Sequence, residues 1–270
     1  MEYVALLLWL FICLTLGAAM HKLLSSVNSS NWMKWIAAPG VIVRKFAMSI
    51  AAMGTGSTVT NVNVYHTSDR DIGFDSRALG GLPRFLVAVA PLFLAAVVLQ
   101  TVNAFLGAPI NPDLTEPIFA ELSLEGAGEF FSSFWHLVSE LVRDVGDGEW
   151  SNIGFYVFLG LALSLSLGAS SAFARFKESL FGALLIVVCL AILCSIFGVP
   201  ASGLSSLTGK HPAVSIVETI REFIFETAHF ALIMMLCGMI MATVIGTIVR
   251  LFELLTSSRG DATSAGTGGN

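Results

Sequence analysis

Six runs of mostly apolar residues, at 3–21, 36–54, 84–106, 151–169, 178–198 and 226–249, decide what this chain can fold into. A helix needs about 20 such residues to cross the roughly 30 Å hydrocarbon core of a bilayer. Only 12% of the residues are charged, against about 25% in soluble domains, so lipid is the main solvent expected. The sequence predicts an all-α polytopic membrane protein of six transmembrane helices in the cell membrane, with the lipid bilayer as its first partner. Residues 1–255 read as one integral membrane domain, and 256–270, "TSSRGDATSAGTGGN", as a small, polar, disordered tail.

The first run has a small-residue stretch, Gly17-Ala18-Ala19, of the kind found at signal cleavage sites. It opens Met1-Glu2, without the positive n-region of a signal peptide, so it reads as a retained helix. Between residues 107 and 150 nine acids face a single base, Arg143, and loops poor in Lys and Arg lie outside. Six spans then put both termini in the cytoplasm.

The loops carry structure of their own. In "GSTVTNVNVYHTSDRDIGF", Val62 and Val64 alternate with Asn61, Asn63 and Tyr65, the period of a half-buried strand. "TSDRD" is turn-like and Ile72 to Phe74 can return, which predicts a small β-hairpin between helices two and three. In the acidic loop, Phe130, Phe134, Leu137, Val138 and Leu141 recur at helical spacing, while Glu140, Arg143 and Asp144 lie off that face. This segment reads as a helix lying in the membrane interface, with Trp135 and Trp150 at headgroup level, or as an element dipping into the bundle.

Small residues recur at every fourth position in two spans: Gly160, Ser164 and Gly168, then Gly238, Ala242 and Gly246. Such faces let helix backbones approach closely. Pro91 predicts a kink in the third span. The four cysteines, Cys13, Cys189, Cys194 and Cys237, all fall within spans and read as small packing residues. No two histidines are spaced i and i+4. Glu226 and His229 form a Glu-x-x-His pair, which alone falls short of the three or four convergent ligands of a zinc site. No phosphate loop, nucleotide fingerprint, nucleophile elbow or basic nucleic-acid patch is present, so nucleic acid is not an expected partner.

Arg44 and Lys45 are the anomaly. They sit near the middle of the second span, "PGVIVRKFAMSIAAMGTG", some 12 Å deep at about 1.5 Å per residue. Insertion into lipid costs about 2.5–3.5 kcal/mol for each such charge at the centre. They can pair with buried carboxylates, line a wet cavity, or lie shallower in a tilted helix. Arg44 and Met48, four apart, share a face; Lys45, about 100° round, is expected to point elsewhere.

"PGVIVRKFAMSIAAMGTGSTVTNVNVY" resembles the signature helix of site-2-protease-like intramembrane zinc metalloproteases: an apolar lead-in, His-Glu-x-x-His, an Ala-rich helix, Gly, then a strand of alternating valines. "PRFLVAVAPLFLAAVV" is similar to that family's next span, and "GLALSLSLGASSAFARFKESLFGALLIVVCLAIL" to the later segment bearing its third ligand. The resemblance spans residues 39–106 and 150–198. It places Arg44 at the first histidine, Lys45 at the glutamate, Met48 at the second histidine and Arg175 at the acidic ligand. Zinc chemistry needs neutral imidazoles and carboxylates, and a carboxylate to activate the bound water; Arg has donors only and repels a dication.

The resemblance therefore implies a pseudoprotease, not an enzyme, without a metal or other cofactor, acting as a binding or structural subunit for another membrane protein or complex. Val62, Val64 and Tyr65 of the hairpin are its expected partner edge. Arg44 would then occupy the place of the dication, paired with carboxylates such as Glu178, Glu222 or Glu226. The competing readings are a transport or channel component with Arg44 and Lys45 lining an anion path, and a protease with ligands relocated to His66, Glu226 and His229.

Overall fold

The computed structural model describes residues 2–25, 31–62, 72–75, 82–110, 116–117, 123–148, 152–171, 176–197 and 212–264. Seven helices and two short strands make up these residues: α1 (Glu2–Ser25), α2 (Asn31–Gly54), β1 (Thr58–Val62), β2 (Ile72–Asp75), α3 (Leu82–Phe105), α4 (Leu124–Asp147), α5 (Ile153–Ser171), α6 (Phe176–Ile196) and α7 (Pro212–Ser264). Five of the helices, α1, α2, α3, α6 and α7, are long and apolar enough to cross a membrane. The fold is an all-α membrane fold.

The fourth expected span does not reach that standard. Its apolar stretch, Ile153–Ala169, is a shorter helix. Phe155, Phe158, Ala162, Leu163, Ser164, Leu165, Ser166 and Ala169 are all buried, so α5 is walled in by protein for most of its length. It packs on α1, α2, α3 and α7.

The last helix differs from expectation at both ends. The apolar run at 226–249 is the middle of α7, which begins at Pro212 and continues to Ser264, past the boundary expected at Thr256. Proline suits a helix start because its missing N–H is unpaired there anyway. Beyond residue 255 no proline intervenes, and propagation adds a hydrogen bond for each residue fixed. Residues 265–270 of the expected tail lie outside the described residues.

α1 and α7 run side by side in the same direction. Glu2 meets Arg221 at 3.5 Å, Tyr3 packs on Phe225, and Trp9 packs on Phe225 and His229. From Thr227 to Gly238 every residue of α7 is buried, which makes this stretch the core of the bundle. α4 lays Phe130, Leu137 and Leu141 into the same core, while Phe134 and Val138 are half-buried. Ser123 caps its start, the hydroxyl accepting from the Gly126 N–H at 3.0 Å.

β1 and β2 pair antiparallel, Thr58 opposite Asp75 and Val62 opposite Ile72, with an irregularity between Val59 and Asn61. Val64, Tyr65 and the turn expected after them lie outside the described residues, as do His66 and Arg175.

Candidate functional site

The two cations of α2 lie inside the bundle. Arg44 is 2% exposed and Lys45 3%. Both engage other groups within the fold. The helix around them is turned inside out relative to a soluble one: Trp35, Ile42, Phe46, Ile50 and Met53 face outward, and the charges face in. Ile42, Phe46, Ile50 and Met53 recur at intervals of three and four, a continuous apolar stripe on the outer side.

Local chemistry explains how α2 sits. Pro39 lies inside the helix and cannot donate to the carbonyl four residues back. The next residue, Gly40, donates its N–H to the Ser164 hydroxyl of α5 at 3.0 Å. A Cβ on Gly40 would collide with the backbone carbonyl of Ser164, and one on Gly168 would collide with the backbone of Gly40. So α2 and α5 touch backbone to backbone, and only glycine permits it at these two positions. Arg44 stands one turn beyond Gly40 on the same side. Further along the same stripe, Met48 and Ala52 pack against Val87 of α3.

Lys45 was expected to point away from the face shared by Arg44 and Met48. It is buried too, on a helix that packs against both α5 and α3. A rotation of about 100° per residue carries Lys45 from one packed neighbour toward another rather than out to lipid.

The remaining predicted residues divide between several places. Ser164 and Gly168 meet Gly40, whereas a Cβ on Gly160 would meet nothing within 4 Å. In α7, a Cβ on Gly238 would run into the Ser166 side chain, Ala242 is fully buried and Gly246 faces Leu23. Ser166 also donates to the Met234 carbonyl at 2.9 Å, a polar tie between α5 and α7. Glu178 makes a 3.0 Å ion pair with Arg84 at the start of α3. Glu222 and Glu226 line a cavity near the start of α1, away from the α2–α5 contact. His229 Nδ1 lies 3.8 Å from a Glu116 carboxylate oxygen, so the Glu-x-x-His pair joins that second location.

Gly40 and the ties from α1 to α7 escaped the sequence reading. Gly40 had a signal, standing directly after an intrahelical proline and before two buried charges. The pairs Glu2–Arg221 and Glu116–His229 had none, since their members come from segments distant in the chain.

Zinc does not fit the residues present at the α2 site. The three positions supply a guanidinium, an ammonium and a thioether, none of them a neutral imidazole or a carboxylate. Among the described residues, no three His, Cys, Asp or Glu side chains are gathered closely enough to hold a metal ion. No protein family, curated protein or solved structure matches the chain.

Proposed function

We propose that this chain is a non-catalytic, multi-pass membrane subunit that binds another membrane protein, built on a degenerate form of the site-2-protease-like fold. The observation that carries the reading is the burial of Arg44 and Lys45 at 2% and 3% exposure, where the resemblance calls for metal ligands. Ionisable residues inside a membrane are expensive and are kept for a purpose. Here Arg44 and Lys45 lie buried on the helix that meets α5 backbone to backbone, so their service is to hold α2, α3 and α5 in register. In this reading the β1–β2 pair offers its free edge to an extended segment of the partner.

Native mass spectrometry of the protein released from mild detergent tests this. The expected spectrum is a metal-free chain carrying a second protein at fixed stoichiometry. The second protein should be lost from a Thr60→Pro variant, because proline withdraws a strand N–H. One zinc per chain, or metal-dependent cleavage of a membrane client, overturns the reading.

A further inference from the structure

Where α1 begins, its first turns and α7 enclose a cavity of about 380 Å³. Its size lies within the usual span of small-ligand sites, about 300–1,000 Å³. Trp9 and Phe225 form an aromatic corner in its wall, their ring centroids 6.1 Å apart and their planes at 82°. The indole N–H donates to the Pro117 carbonyl at 2.9 Å, which fixes the plane of the larger ring. We propose that this cavity binds an organic ammonium group, quaternary or primary, presented by a zwitterionic lipid headgroup or by a small free amine.

Charge bookkeeping within the cavity points to a cation. Arg221, 8% exposed, is matched by Glu2 at 3.5 Å. His229, its ring tilted 43° to Trp9 at 5.6 Å, faces Glu116 at 3.8 Å. That leaves Glu222 and Glu226, exposed and spaced i and i+4 on α7, with no ion pair to another described residue. Like charges at this spacing repel, and a cation between them removes the repulsion.

The geometry also selects the kind of cation. An inorganic ion needs several oxygens converging on one point, and these carboxylates are too dispersed to count as such a group. A bulky ammonium does not need convergence. It spreads its charge over several ångströms and is attracted by the faces of Trp and Phe rings within about 6 Å. Carboxylates at the rim and an aromatic corner in the wall match that requirement. Glu2 opens the first candidate span, which places the cavity at headgroup level.

Calorimetric titration of the full chain in maltoside micelles with tetramethylammonium chloride is the test. Sodium chloride at equal ionic strength and neutral 3,3-dimethylbutanol serve as controls. Saturable heat is expected with tetramethylammonium alone. Phe225→Leu should weaken it about twofold to thirtyfold, the range of cation–π contacts from exposed to desolvated sites. Glu226→Gln should weaken it too, and Phe223→Leu, on the exposed flank of the same helix, should not. In nanodiscs, preferential retention of phosphatidylcholine over phosphatidylglycerol identifies the lipid headgroup as the source. Equal retention identifies a free amine. Heat indistinguishable from that of sodium chloride, or undiminished in both cavity variants, overturns the proposal.

Discussion

α2 and α4 are each 24 residues long and are nearly opposites. α2 buries Arg44 and Lys45 and shows Ile42, Phe46, Ile50 and Met53. α4 buries Phe130, Leu137 and Leu141, while Glu125, Glu129 and Arg143 are exposed beside Phe131, Trp135 and Val142. The first arrangement is unstable in water and sensible in lipid, where an apolar outer face costs nothing and a charge must be hidden. The second suits a boundary with water on one side and an apolar surface on the other. One chain thus carries two patterns of burial, each suited to a different solvent.

The largest effect should come from the inner face of α2. Arg44 is buried and engaged within the fold, and removing one partner of a buried ionic interaction costs about 3–5 kcal/mol. Arg44→Leu is expected to lower the melting temperature in detergent sharply or to prevent recovery of folded protein, with Arg44→Lys restoring most of the loss. An Arg44→Leu protein as stable as the parent would remove Arg44 from the architecture. The outer faces should differ next. Phe46→Lys puts a charge into hydrocarbon, worth about 2.5–3.5 kcal/mol at mid-span. Val142→Lys on α4 puts one at a wet surface, where substitutions usually stay within about 0.5 kcal/mol. Equal losses at the two positions in nanodiscs would mean that α2 and α4 share a solvent.

How far this contrast could be read in the sequence depends on how local its cause is. The apolar runs behind α1, α2, α3 and α6 depend only on composition over about 20 residues, and so does the inward stripe of α4, which depends on spacing within one helix. The burial of Lys45 was not legible, because it depends on α2 having two packed neighbours. The small-residue stripe of α5 was legible as a place of close approach, yet which of its members is used depends on where Gly40 lands. Ser164 and Gly168 are covered and Gly160 is not. The aromatic and acidic cavity draws on α1, on the segment at Glu116 and on α7, and no local pattern joins them.

Glycine gives the finest form of the comparison. Gly40 and Gly128 both sit within helices, and in the absence of neighbours alanine would improve either by up to about 1 kcal/mol. At Gly128 a Cβ meets nothing within 4 Å, so that intrinsic gain should appear in full. Gly128→Ala is therefore expected to raise the melting temperature slightly. At Gly40 the added carbon strikes the Ser164 backbone, which cannot rotate aside as a side chain would. Overpacking of this kind costs typically 1–3 kcal/mol, occasionally more, and it also strains the 3.0 Å hydrogen bond to the Ser164 hydroxyl. Gly40→Ala should therefore lower the melting temperature, opposite in sign to Gly128→Ala. Two shifts of the same sign would mean that α2 and α5 do not meet through their backbones, and the register that places Arg44 inside the bundle would go with them.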